Sequence, residues 1–229
     1  MRWPKQRPPL PETYRTIYER HHVQNRTGAG AAVGIAQRLE SWMHRKVAND
    51  VVKSGRGGAT LEIGAGTLNQ LPYEPNTSPY DVVEPFDALY GASAQRSRIR
   101  YRYRDIGDVP TANRYDRITS IATFEHVLDL PDMVRRATIL LNPQGVMRVA
   151  IPSEGEFLWG LAWRLTTGIE FRLRHRLDYG VMMRYEHVNT AAEIESVLRE
   201  RFKTVAVSTF GLGRSLSLYQ CLICSDPVR

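Results

Sequence analysis

Gly64-Ala65-Gly66 follows directly on the apolar run Ala59-Thr60-Leu61-Glu62-Ile63. Glycines placed just after a strand let backbone approach a ligand closely, because they lack a Cβ and tolerate unusual dihedrals. Glu62 stands just before them, and Glu84 closes the next apolar stretch 20 positions beyond Gly64. A carboxylate at that place can accept both hydroxyls of a ribose. Asp105 ends a third stretch, where it can accept from an adenine amino group. Three strand-end carboxylates thus surround one crevice on the carboxyl edge of a sheet.

A dinucleotide and a sulfonium nucleoside both suit this geometry, and the phosphates separate them. The dinucleotide pattern needs Gly or Ala at its sixth position, which here is Asn69, and no basic residue lies between Gly64 and Asn76 to meet a diphosphate. Glu62 would repel one. A cationic sulfonium with a zwitterionic tail fits better, so a nicotinamide oxidoreductase ranks last. Glu125-His126 and the distant His187 are the candidates for chemistry. Displacement at such a sulfonium is in line, so the protein supplies alignment, plus a base when the attacking group is a hydroxyl, and an ordinary imidazole titrates near 6.5. The plainer alternative has His126 packing the helix that follows and Glu125 facing its N-terminus.

The elements that must position these groups alternate. Strands are expected at 59–63, 80–83, the Arg/Tyr run ending at Asp105, 115–122 and 146–151, with a helix from Asp132 to Leu141 stopped by Asn142-Pro143-Gln144-Gly145. That rhythm implies a mostly parallel sheet between helical layers. Ahead of it, Ile35, Leu39, Trp42, Met43, Val47 and Val51 recur at threes and fours, a helix with one buried face. Residues 1–34 read as an arm or lid carrying Tyr14, Tyr18, His21, His22 and Thr27-Gly28-Ala29-Gly30, and residues 35–229 as the main domain. Residues 154–189 are too many for an ordinary connection and form an insertion, helical where Phe157, Leu158, Leu161, Ala162 and Leu165 recur. A helix at 190–202 and strands at 204–210 and 216–224 follow. The short link between those strands makes them an antiparallel hairpin.

Composition narrows the function classes. Hydrophobic residues are 42% and charged residues 24% of 229, as in water-soluble globular proteins. No apolar run approaches the ~20 residues that cross a bilayer, and no secretory stretch opens the chain. Cys221 and Cys224 would point to opposite faces of a strand, free thiols suited to a reducing cytoplasm. The net charge of +7 comes from 31 Lys+Arg against 24 Asp+Glu. In Arg98-Ile99-Arg100-Tyr101-Arg102-Tyr103-Arg104 a strand would put four arginines on one face, which reads as a charged edge strand that resists aggregation rather than as a nucleic-acid stripe.

On Leu61-Glu62-Ile63-Gly64-Ala65-Gly66-Thr67, Asp81-Val82-Val83-Glu84-Pro85, Arg104-Asp105-Ile106, Tyr115 through Phe124-Glu125-His126-Val127, Leu141 through Gly145 and Glu186-His187-Val188-Asn189-Thr190, the chain resembles the class I S-adenosylmethionine-dependent methyltransferases over roughly residues 55–224. The branch is the small-molecule, type 11/12-like one that includes ubiquinone-pathway O-methyltransferases. The resemblance implies a three-layer Rossmann-like α/β sandwich with a mostly parallel seven-stranded sheet and an antiparallel C-terminal hairpin. It implies S-adenosylmethionine as cofactor and S-adenosylhomocysteine as product. Glu62, Gly64, Gly66, Glu84, Asp105, Ile106 and Ala122 would form the cofactor site. Gly64 and Gly66 would line the methionine part, Glu84 would bind ribose, and Asp105 with the Ile106 backbone would read adenine. Leu68 replaces a frequent third glycine, and Pro72, Pro75 and Pro79 cut short the usual first helix.

Glu125, His126 and His187 are the expected catalytic residues. Some relatives hold a divalent ion with Glu-x-x-Glu-His, but Ala122 stands where the first Glu would be, so no metal is expected. In this fold an insertion after strand five covers the acceptor pocket, and its mixed aromatics and arginines suit a sugar, a phosphorylated acceptor or an anionic lipid head group. The expected activity is O-methylation of a small polar acceptor, a sugar or secondary metabolite. An RNA methyltransferase and a cofactor-binding scaffold without catalysis are the alternatives, and peripheral membrane or homodimer contact stays open.

Overall fold

The computed structural model describes residues 2–18, 33–54 and 58–228. His21, His22 and Thr27-Gly28-Ala29-Gly30, part of the expected arm, lie outside them. Strand β1 (Thr60–Ile63) pairs in parallel with β2 (Tyr80–Val83) and with β4 (Tyr115–Ile121), β2 carries β3 (Arg102–Tyr103) at the edge, and β4 pairs with β5 (Leu141–Pro152). The hairpin β6 (Phe202–Gly211) and β7 (Ser217–Pro227) closes the sheet, with β7 antiparallel to both β5 and β6. The order is β3-β2-β1-β4-β5-β7-β6, so β7 alone runs against the other six. Every residue of β1 and β2 is buried, as expected for central strands covered on both faces.

Residues 12–18 are helical (α1). Helix α2 (Val33–Ser54) lies on one face, where Met43 and Val47 meet Ile121, Ala150 and Cys221. On the other face α3 (Leu130–Leu140) and α7 (Ala191–Arg201) bury Val134, Ala137, Ile194 and Leu198 against Ile118, Val149, Leu222 and Cys224. The two free thiols therefore sit on opposite faces of β7. Asp129 accepts from the Asp132 backbone at 3.3 Å and Pro131 lies in the first turn, which starts α3 at Leu130, two residues before the expected Asp132. Thr190 and Glu193 form a reciprocal capping box on α7.

Between β1 and β2 the prolines leave turns and one 3-10 turn, Leu71–Tyr73, in place of a crossover helix. A buried ionic network fills part of that side. Arg117, 3% exposed, meets both Glu74 oxygens at 2.8 and 3.0 Å and Asp50 at 3.1 Å, joining the sheet to α2 and to the β1–β2 connection.

Two local expectations are corrected. The arginine run does not form a strand with four arginines on one face: only Arg102 and Tyr103 pair with β2. Arg98 sits in a 3-10 turn and donates to the carbonyls of Leu71, Glu74 and Pro75, while Arg100 forms a 2.8 Å ion pair with buried Asp81. The backbone still meets β2 as far back as Arg100, which donates its N–H to Tyr80 O at 2.8 Å, while Arg98 is held away in its turn. Asn142-Pro143-Gln144-Gly145 also does not stop α3, which ends at Leu140. It bulges within β5, with Leu141 opposite Tyr115 and Val146 opposite Arg117.

The insertion is helical, as α4 (Phe157–Trp163), a π-helical stretch Arg164–Gly168, α5 (Ile169–His175) and α6 (Tyr179–Glu186). Its Phe171 and Met182 bury Tyr14 of α1, and Tyr14 Oη accepts from the Asp178 backbone at 3.0 Å, so arm and insertion share one small core.

Candidate functional site

Gly64 has φ +75 and Gly66 φ +50, a left-handed region that ordinary side chains rarely adopt. A Cβ on Gly64 would stand 2.2 Å from Thr123 Oγ1, which leaves room for no other residue. A Cβ on Gly66 would meet nothing within 4 Å, so this backbone faces open space at the carboxyl edge. Glu84 bonds to the same loop: its Oε2 accepts from Gly66 N at 2.9 Å and its Oε1 from Phe86 N at 3.1 Å. Each oxygen keeps a second lone-pair direction. Ala122, exposed at the end of β4, has φ +48, a strained conformation for a residue with a Cβ, and donates its N–H to Ala150 O at 2.8 Å.

The remaining expected cofactor residues lie differently. Asp105 is exposed, and its carboxylate caps the 3-10 turn Ile106–Asp108 by accepting from Gly107 N at 2.7 Å, with Ile106 buried below. Glu62 is not open to a crevice. It is 2% exposed and accepts from Tyr80 Oη at 3.0 Å. Burial pushes its carboxyl up to about 8, against the opposing Tyr80 hydrogen bond.

Glu125, His126 and His187, separated by up to 62 positions, converge. One ligand-type atom from each lies within 4.8 Å of the others, and the two imidazole centroids are 5.0 Å apart. Asn189 brings them together: buried completely, it donates Nδ2 to the carbonyls of Phe124 and Val127, both at 2.7 Å, while the backbone of Val188 and Asn189 donates to Glu125 O. His126 Nδ1 lies 2.9 Å from Glu186 O, which can only accept, so that nitrogen carries a proton. His187 Nδ1 lies 2.7 Å from Glu154 Oε2, an interaction absent from the sequence reading. Both rings thereby keep Nε2 as the basic nitrogen.

The electrostatics follow from burial and this pairing. Burial raises Glu125 to about 7, with the His187 charge pulling the other way, and its Oε2 is a buried oxygen without a hydrogen-bond partner. Burial would lower His187, yet the Glu154 hydrogen bond and the charges of Glu125, Glu154 and Glu186 outweigh it and hold the imidazole above its ordinary value. Glu154, raised by burial, is lowered more by its hydrogen bonds from His187 and Trp159 and lies below the usual carboxylate range. Trp159 Nε1 donates to Glu154 at 2.7 Å, and its ring stands between His187 and Tyr219. Such a set can hold and move a proton, or it can ligate a cation through one carboxylate and two imidazoles.

The arm closes one side. Arg7 donates to the carbonyls of Tyr185 at 2.5 Å and His126 at 3.2 Å, and Lys5 to Val188 O at 2.7 Å. A groove of about 800 Å³ runs between arm and α6, with Arg2, Trp3, Lys5, Arg184 and His187 in its wall. Glu154, Asn189 and Arg7 were not singled out from sequence as site residues. The position of Glu154 just beyond β5, at the carboxyl edge, was the one available signal.

Solved structures share this fold. The N-methyltransferase NodS from Bradyrhizobium japonicum WM9, in complex with S-adenosyl-L-homocysteine, is 18% identical over 83% of this chain and 88% of that one, with a TM-score of 0.56. The plantazolicin methyltransferase BpumL, also in complex with that product, is 13% identical over 93% and 92%, TM-score 0.60. The chain has the methyltransferase fold. The CurJ carbon methyltransferase is 21% identical over 83% of this chain, which spans 55% of that one, TM-score 0.56. No protein-family model and no curated protein matches the chain. Among the described residues, no helix is long and apolar enough to cross a membrane.

Proposed function

We propose that the chain transfers a methyl group from S-adenosylmethionine to a hydroxyl of a small polar acceptor. Support for the cofactor comes from the open backbone at Gly66, from Glu84 at the end of β2, and from the S-adenosylhomocysteine in the NodS and BpumL structures. When bound, that cofactor supplies an electrophilic methyl on sulfur, and Gly64, Gly66, Glu84, Asp105 and the Ile106 backbone would hold it.

The observation that carries the reading is the hydrogen bond between Glu154 and His187, whose imidazole lines the arm groove. Glu154 fixes the proton on Nδ1, so Nε2 can take the acceptor hydroxyl proton as its oxygen attacks. An amine acceptor that is already neutral needs no such base, which is why the pair favours oxygen. His126, locked by Glu186 O, lies beside it, and Glu125 balances the imidazolium that forms. The test is a screen of labelled methyl donor with hydroxyl and amine acceptors, alongside calorimetry of the donor. Donor binding with turnover of hydroxyl acceptors, lost in His187→Asn, supports the reading. Donor binding without turnover of any acceptor favours a cofactor-binding scaffold.

A second reading is favoured by the convergence of Glu125, His126 and His187, whose donor atoms could hold a divalent cation next to the acceptor. The unpartnered Glu125 Oε2 fits that role. Ala122 offers no fourth ligand.

A further inference from the structure

Phe157, Leu161, Leu165, Ile169 and Leu173 recur at a strict four-residue spacing along α4, the π-helical stretch and α5, and all are exposed, at 67%, 40%, 59%, 47% and 79%. On a regular α-helix that spacing drifts about 40° per step. The slower winding of the π stretch at 164–168 takes part of the drift back, so the five side chains form one apolar stripe roughly 24 Å long. The opposite side of the same rod is also apolar and is covered, with Trp159 against His187 and Tyr219, and Phe171 in the core shared with Tyr14. Two apolar faces on one helix belong against protein or lipid. Among the described residues, only one of these faces has a partner.

The rim of the stripe says what covers the other. Arg172 and Arg174 flank Leu173 in sequence, about 100° to either side, and Arg164 and Arg176 follow the same rod; all four are exposed. Glu170 is the single acid between 157 and 176. Among the described residues none of these four arginines is in an ion pair. Arg164 lies over the Trp163 ring at 4.6 Å, with Trp163 edge-on to Tyr179, so aromatic and cationic groups sit together at the rim. A second copy of the chain would lay the same arginines against one another, because a two-fold contact repeats the patch. An anionic bilayer takes the apolar side chains into its acyl boundary and the guanidinium groups among its phosphates.

We infer that the exposed face of residues 157–173 is an interfacial membrane anchor that docks the protein on anionic lipid. The inference does not depend on methyl transfer, since its readout needs no turnover. Docked this way, the site on the inner face of the rod lies about one helix diameter, ~10 Å, from the lipid boundary.

The experiment is cosedimentation of the full chain with vesicles of phosphatidylcholine alone and of phosphatidylcholine with equal phosphatidylglycerol. The chain is expected to partition onto the anionic vesicles and to be released in part by salt. Leu165→Glu with Leu173→Glu should cut that partition by about tenfold or more while melting as the parent does, because both side chains are already in water. Arg172→Ala with Arg174→Ala should reduce the preference for the anionic vesicles. Failure to bind either vesicle, or undiminished binding by the double glutamate variant, would overturn the inference. So would a concentration-dependent dimer, seen by analytical ultracentrifugation without lipid, that the glutamates dissolve, since that would make a second copy the occupant.

Discussion

His187 Nδ1 and Glu154 Oε2 lie 2.7 Å apart across 33 positions of chain, joining the end of β5 to the end of α6. The carboxylate is held in turn by Trp159 Nε1, so the imidazole has one orientation and one proton site. A pair of this kind sets how the protein responds to pH and to substitution.

A general base acts when neutral, so turnover should be full at high pH and fall as pH drops through the His187 pKa. That pKa is raised, which places the acid limb above 6.5. Glu154→Gln removes the largest raising influence and should move the limb to lower pH while reducing kcat. His187→Asn should cost about 10²–10⁴ in kcat. A pH–rate profile of each variant is the check, and an acid limb that stays in place in Glu154→Gln would remove Glu154 from the proton path.

Chelation separates the base from the cation. If His187 acts as a base alone, incubation with EDTA and gel filtration should leave turnover intact. A tenfold loss restored by magnesium or manganese would instead assign Glu125, His126 and His187 as ligands, and the same treatment should then abolish a metal signal by mass spectrometry.

The glycine loop should divide two effects. Gly64→Ala drives a Cβ into Thr123 and should lower stability by about 1–3 kcal/mol. Gly66→Ala meets no protein atom, so its cost to the fold is limited to the strain of a Cβ at φ +50, about 1–2 kcal/mol, and its Cβ should in addition weaken the cofactor. Glu84→Ala should weaken cofactor binding by about 1.5–3 kcal/mol. Chemical denaturation paired with calorimetry reads both quantities, and an unchanged dissociation constant in Glu84→Ala would exclude its carboxylate from ribose binding.

Glu62 predicts a pH-dependent stability. Its carboxyl is raised from 4.5 to about 8 in the fold, so between those values the folded state binds more protons than the unfolded one. Stability should therefore fall as pH rises through that window. Glu62→Gln keeps an acceptor for Tyr80 Oη and removes the ionisation, so its Tm should exceed that of the parent at pH 8 and approach it at pH 4.5. Each kcal/mol recovered is worth about 2–4 °C in a chain of this size. Melting curves across pH give the answer, and equal slopes for both proteins would exclude Glu62 as the source.

What the sequence determined by itself is local. The short apolar stretches, the glycines after β1 and the short link between β6 and β7 specify strands, a tight turn and a hairpin, because backbone sterics and side-chain pattern act over a few residues. They predict the mostly parallel sheet with its antiparallel end, and the two cysteines on opposite faces of β7. Tertiary structure decided the rest. Arg98 left the strand pattern, its guanidinium held by Leu71 O and Glu74 O, and Arg100 turned its side chain to Asp81, all distant in sequence. Glu125, His126, His187 and Glu154 met because Asn189 ties the end of the insertion to Phe124 O and Val127 O, contacts that carry no periodic signal. The recurrence from Phe157 to Leu165 predicts a helix from sequence, but which side of it is covered was set by where Tyr14, His187 and Tyr219 packed. Contacts of that range depend on how the chain closes its loops around one core, and a residue's own neighbours in sequence do not encode them.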